Sequence, residues 1–136
     1  MMIAAVCIDD RNGLLFNHRR LSRDRAQQED LLFLCGGEPL WLAPYSAPLF
    51  DWALERVRIS EDFLEQAAPG EICFVEDRQP PVEDLDGLIL YRWNRAYPSD
   101  VRLELDLSRF TLSERRDFPG ISHETITREY YIRKED

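Results

Sequence analysis

Four carboxylates stand directly after two short apolar runs. Asp9 and Asp10 follow Ile3-Ala4-Ala5-Val6-Cys7-Ile8, and Glu76 and Asp77 follow Ile72-Cys73-Phe74-Val75. In an open α/β sheet the carboxyl ends of neighbouring parallel strands face one crevice. Four oxygen ligands converging there would suit Mg²⁺ and let it position a phosphate for hydrolysis. The plainer account makes them turn-forming, solubilising acids. A fifth acid, Asp30, precedes Leu31-Leu32-Phe33. Apolar neighbours raise a carboxyl pKa and would fit Asp30 for proton transfer, whereas a solvated helix acid needs no such role.

Other chemistries are thinly supplied. His18 and His123 are the only histidines, so the dense HxHxDH core of a dinuclear metallo-hydrolase is absent. A Ser/His/Asp triad can be drawn through His123, but no GxSxG elbow supports it. Lys134 is the sole lysine, which excludes a Walker-type or Schiff-base lysine inside the fold. Cys7, Cys35 and Cys73 are odd in number, lack a CxxC spacing and lie in apolar runs. They read as buried free thiols in a reducing compartment, which points to the cytoplasm. Arg19, Arg20, Arg23 and Arg25 form the one basic cluster. It is either an anion-holding rim or a solvated stretch with helix-surface pairing to Glu29. Trp41, Trp52 and Trp93 read as core or edge packing rather than stacking platforms.

The bulk numbers narrow the classes. With 136 residues the chain suits one domain spanning 1–136. A net charge of −9 argues against a nucleic-acid binder, which works through phosphate contacts. No apolar stretch approaches the ~18 residues of a membrane helix. Met1 to Ile8 lacks a basic leader and meets Asp9-Asp10 at once, so it reads as a strand rather than a signal peptide. The expected partner is a small molecule, with neither nucleic acid nor membrane, and the chain a monomer or homodimer.

The elements that must position these residues come next. Continuous apolar runs at 3–8, 40–43, 72–75 and 88–91 predict strands covered on both faces. Between them, Ser22 is placed to cap a helix from Arg23 to Cys35 with Gly36 as its C-cap. Ser46 is placed to cap a helix through Arg56, with Pro48 in its first turn, and a short helix is expected over Glu61 to Ala67. Val101, Leu103 and Leu105 then alternate with charges, and His123 to Arg133 is a Thr/Tyr/Ile-rich antiparallel strand. Strand alternating with helix, then strand after strand, predicts an α/β domain. Its sheet is mostly parallel, with an antiparallel C-terminal hairpin and about three flanking helices.

That element order resembles the dihydrofolate-reductase-like fold. Ile3 to Gly13 is similar to the family's opening strand and glycine-containing turn. Asp30-Leu31-Leu32-Phe33 sits where the family has an acid and apolar residues on its first helix. Leu40 to Ser46 occupies the place of the second strand and its "GR-x-T" turn, and Leu88 to Tyr91 with Asp100 to Leu103 resembles the late strand and aspartate segment. The resemblance implies that Asp30 matches the acid that contacts the pterin. It also implies a ligand crevice by Asp9, Asp30, Tyr91 and Ser46.

The departures concern the cofactor. The family grips NADPH partly through a Gly-Gly pair after a central strand, where this chain has Glu76-Asp77, and through an arginine where it has Pro44-Tyr45-Ser46. Carboxylates repel phosphate, and losing such contacts costs several kcal/mol at ~1.5–3 each. The expectation is a shortened reductase-like protein without NADPH or turnover, binding a small planar or anionic ligand. Two alternatives stand beside it. One is the Mg²⁺-dependent phosphohydrolase on Asp9, Asp10, Glu76 and Asp77. The other is a non-catalytic interaction module pairing through the strand Thr125 to Tyr131 as its edge.

Overall fold

The computed structural model describes residues 1–135. At its centre lies strand β1 (Met2–Ile8), whose Ala4, Ala5 and Val6 are wholly withdrawn from water. Parallel to it run β6 (Ile72–Phe74) on one side and β7 (Leu85–Arg92) on the other. Beyond β6 come β4 (Leu40–Leu42) and β5 (Val57–Ile59), also parallel. Beyond β7, β10 (Ile126–Arg133) and β9 (Phe110–Phe118) pair antiparallel. The seven-stranded order is therefore β5-β4-β6-β1-β7-β10-β9. A small sheet of β2 (Gly13–Phe16), β3 (Arg19–Arg20) and β8 (Val101–Arg102) stands beside it. The mostly parallel α/β architecture with an antiparallel hairpin is as expected from the sequence.

Alternation along the strands sends successive side chains to opposite faces of the sheet. Ala5, Leu40, Leu42, Phe74, Ile89 and Tyr91 meet Leu31, Leu32 and Phe50 on one face. Ala4, Val6, Cys73, Leu88 and Leu90 meet Leu14, Phe63 and Leu103 on the other. Full burial of such side chains stabilises by ~1.5–3 kcal/mol each before entropy is charged. No helix among the described residues is long and apolar enough to cross a membrane.

Four local expectations need correction. Helix α1 is Arg25–Cys35, capped by Asp24 rather than Ser22; the Asp24 carboxylate accepts from Ala26 N–H, and Gly36 closes the other end at φ 60°. Pro44–Arg56 is not an α-helix begun at Ser46 but a 3₁₀ stretch bent at Phe50 and Ala53. Pro48 donates no N–H to an α-helical ladder, and the Ser46 hydroxyl is spent elsewhere. The third helix, α2 (Phe63–Gln66), is a single turn. Finally, Thr125 to Tyr131 is not an edge. From Ile126 onward it belongs to β10, hydrogen-bonded on both sides, and the open edge falls to β9.

Candidate functional site

The carboxyl ends of β1, β6 and β7 form the edge at which open α/β sheets place ligands. The four acids expected to meet there do not form a metal cradle. Among the described residues, no group of three or more His, Cys, Asp or Glu side chains is placed to hold a metal ion. Asp9 serves its own turn, accepting from the N–H groups of Gly13 at 2.7 Å, Arg11 at 2.9 Å and Tyr97 at 3.0 Å. Burial pushes its pKa up, but those three N–H groups and the nearby Arg11 charge hold it below the usual carboxylate value. Gly13 permits this wrapping, because a Cβ there would stand 2.8 Å from Asp9 Oδ1. Asp10 is exposed and gives only its N–H, to Arg95 O. Asp77 pairs with Arg78 at 2.9 Å.

Glu76 lines the crevice and draws it shut. Its carboxylate accepts from Arg20 Nε at 2.9 Å and from Ser46 Oγ at 2.7 Å. The Arg20 side chain, brought in by β3, also lies over the Tyr45 ring at 4.7 Å. The space left between Cys7, Leu14, Arg20, Ser22, Glu76 and Trp93 is about 10 Å³, room for one water. Ser46 is thus a buried clasp, 1% exposed.

Asp30 looks from α1 onto the sheet. It accepts from Tyr91 OH at 2.7 Å and from Arg128 at 2.6 and 2.8 Å, and Arg128 also reaches Glu114 on β9. Burial, then the Asp30 charge, raise the pKa of Tyr91 well above that of a free phenol. Tyr91 is wholly buried, so both of the side chains expected beside a ligand here hold each other. Arg128 was not singled out by the sequence; within a Thr/Tyr-rich strand it resembles any solvent-facing charge.

A third constellation gathers around His123, through which the sequence allows a Ser/His/Asp triad to be drawn but supplies no GxSxG elbow. Asp24 Oδ2 lies 3.0 Å from His123 Nδ1, and His123 Nε2 lies 3.0 Å from Ser22 Oγ. Tyr97 OH is 2.9 Å from the same Nε2 and donates to Ser22 Oγ at 3.3 Å. Asp24 further accepts the N–H groups of Ile121, Ser122 and His123 at 2.8–3.2 Å. Burial works against its charge, yet those donors and His123 hold its pKa at about 2. Trp93, the residue after β7, stacks on the His123 ring at 4.4 Å. The available clue was His123 itself, whose position in the chain gives no distance to Ser22 or Asp24.

Three wider clefts border this group, one of them, of about 340 Å³, along Arg19, Leu21 and Tyr97. Another, of about 430 Å³, is lined by Arg23, Arg25, Gln28, Leu49, Trp52 and Ser122 among others; Arg25 there stacks on Trp52 at 3.6 Å. The third, of about 480 Å³, runs along Trp93, Asn94, Arg95, Ser122, Glu124 and Thr125. Trp52 and Trp93 thus touch clefts as well as core. Arg25 also pairs with Glu29 at 3.6 Å, the helix-surface contact expected of that cluster.

No family model and no curated protein matches the chain. Among solved structures it is similar to dihydrofolate reductase from Enterococcus faecalis, in a structure complexed with NADP(H) and RAB-propyl. The TM-score is 0.71 at 13% identity, covering 99% of this chain and 97% of that one. The chain therefore has the dihydrofolate-reductase-like fold.

Proposed function

We propose that this chain is a shortened dihydrofolate-reductase-like protein without reductase turnover, which binds a small planar anion in the cleft of Arg23, Arg25 and Trp52. The carrying observation is the Arg20–Glu76–Ser46 network across the strand ends, which leaves only about 10 Å³ beside Cys7. Small-molecule sites occupy ~300–1,000 Å³, so a nicotinamide ring has no room there. Asp30, satisfied by Tyr91 and Arg128, fastens α1 to the sheet in this reading, and Asp9, Ser46 and Tyr91 shape the fold without touching ligand. The cleft of about 430 Å³ falls within the usual range; it sets two guanidinium groups and the apolar Leu49 and Ile121 beside Asp51 and beside Asp24, whose carboxylate is already wrapped in N–H donors. Three free thiols suit a reducing cytoplasm.

The test is titration with NADPH and dihydrofolate, followed by tryptophan fluorescence and absorbance. No turnover is expected; saturable binding of both with turnover overturns the reading. Calorimetry with naphthalene-2-sulfonate, a planar anion, probes the cleft. Arg23→Ala should weaken it about tenfold, the value of one charge-assisted hydrogen bond.

A further inference from the structure

We propose that Ser22 is a nucleophile for acyl transfer, with His123 as its general base and Asp24 as a positioning residue, acting on small anionic esters or thioesters. The inference goes beyond the ligand reading and does not depend on it. An activated serine requires a base within hydrogen-bond reach, and that base must be oriented by a third group. Here the Ser22 Oγ–Nε2 and Nδ1–Asp24 distances are both 3.0 Å. An ionised carboxylate only accepts, so Nδ1 carries the imidazole proton and Nε2 presents its lone pair to Ser22. The order nucleophile, base, carboxylate is the arrangement that serine acyl transfer uses on unrelated folds.

The ring is held far more firmly than a passing contact would need. Asp24 is fixed by the Ala26, Ile121, Ser122 and His123 N–H groups, and Trp93 covers one face of the imidazole. Asp24 alone already ties the β9–β10 loop to the start of α1. On the far side of the ring, Nε2 has one lone pair and two hydroxyl neighbours, Ser22 Oγ at 3.0 Å and Tyr97 OH at 2.9 Å, and it accepts from one of them at a time. When Tyr97 turns its one proton to Ser22 Oγ at 3.3 Å instead of to Nε2, the lone pair is left to Ser22 and a chain runs Tyr97 to Ser22 to His123 to Asp24, each bond polarising the next. Ser22 is only half-buried and stands at the carboxyl edge of the parallel strands, beside the narrow crevice. The exposed Arg19 and Arg23 flank it on an otherwise acidic chain, which selects an anionic acyl substrate.

In the step, the Ser22 Oγ–H proton passes to Nε2 while Oγ bonds to the acyl carbon and the carbonyl π pair moves onto oxygen. When that oxyanion collapses, the bond to the leaving alcohol or thiol breaks, and the leaving group takes the proton from His123. Water then loses a proton to Nε2, attacks the acyl-serine and releases the acid, and Oγ recovers its proton.

The experiment treats the folded chain with an alkyl fluorophosphonate, which forms an Oγ–P bond as fluoride leaves, and maps the adduct by peptide mass spectrometry. One adduct, on Ser22, is expected, and none after unfolding in urea. His123→Asn should slow labelling at least a hundredfold, and Asp24→Asn at least tenfold with the near-ultraviolet circular dichroism of Trp93, which stacks on the His123 ring, unchanged; release of a purely structural tie would alter that signal. An unlabelled native protein, an adduct elsewhere, or equal labelling of folded and unfolded chain overturns the proposal. The wild-type mapping decides this even if a variant fails to fold. Loss of naphthalene sulfonate binding would leave it untouched.

Discussion

His123 Nδ1 lies 3.0 Å from Asp24 Oδ2, with the two side chains 1% and 0% exposed. This relationship joins the β9–β10 loop to the first turn of α1 and makes one carboxylate answer for both.

It has a pH signature. Asp24 is lowered to about 2, against an ordinary value near 4 in the unfolded chain. A depressed folded pKa gives stability that is full above the unfolded value and lost as pH falls through the folded one. At ~1.4 kcal/mol per unit, Asp24 contributes about 2–3 kcal/mol at neutral pH, lost between about pH 4 and 2. Denaturant midpoints of wild type and Asp24→Asn at neutral and acid pH should therefore converge on acidification. Parallel curves would deny Asp24 that role.

Gly120 sets a second, independent check. A Cβ there would come within 2.6 Å of both Asp24 Oδ2 and the His123 carbonyl. Neither partner can retreat, one being wrapped in N–H groups and the other backbone. Gly120→Ala should cost about 1–3 kcal/mol, the usual range for forced overpacking. The His123 ring signals in a proton–nitrogen correlation spectrum should shift, whereas Gly37→Ala, with nothing within 4 Å, should leave them in place.

These contacts explain what the sequence could and could not disclose. β1, β4, β6 and β7 were legible because an apolar run bounded by turn residues has one good use, a strand buried on both faces. Gly36 was legible as a C-cap for a similarly local reason. Ser22 and Asp24 are both good caps two residues apart, and propensity cannot choose between them. The choice is made by loop 119–125, which brings Ile121, Ser122 and His123 to Asp24 from 97 to 99 positions away. The same long-range assembly converts Glu76 from a strand-end acid into the partner of Arg20 and Ser46. Of the four acids grouped by strand ends, Asp9, Glu76 and Asp77 thus become separate hydrogen-bond acceptors, and Asp10 faces solvent. Periodicity reports which face a residue takes, and these pairings depend on which loops meet.

The cysteines supply a prediction of reactivity. Burial pushes Cys35 up to about 11 and Cys73 to about 12; burial, then the Glu76 charge, raise Cys7 as well. Only the thiolate attacks a disulfide, and at about pH 8 a thiol of pKa near 11 is roughly 0.1% ionised. The native chain should therefore react with an aromatic disulfide reagent only slowly, and all three thiols should appear within seconds of unfolding in guanidinium. A fast stoichiometric reaction of the folded protein would show that one thiol sits in an electropositive, open site.

Arg128 carries the clearest stability prediction. It is 4% exposed on its side chain, shares both oxygens of Asp30 and reaches Glu114, while its Nε finds no partner. Removing it leaves Asp30 charged beside the buried Tyr91 ring, with only one phenolic donor. Breaking a buried pair on one side costs about 3–5 kcal/mol, mostly the penalty of the charge left behind. Arg128→Met should thus lower the denaturation midpoint sharply. Adding Asp30→Asn to it removes the stranded charge and keeps an acceptor for Tyr91 OH, so the double variant should recover part of the loss. If the two substitutions were simply additive, Asp30 and Arg128 would not be acting as a unit. Fluorescence-monitored urea unfolding of the wild type, both single variants and the double variant closes the thermodynamic cycle and measures the coupling directly.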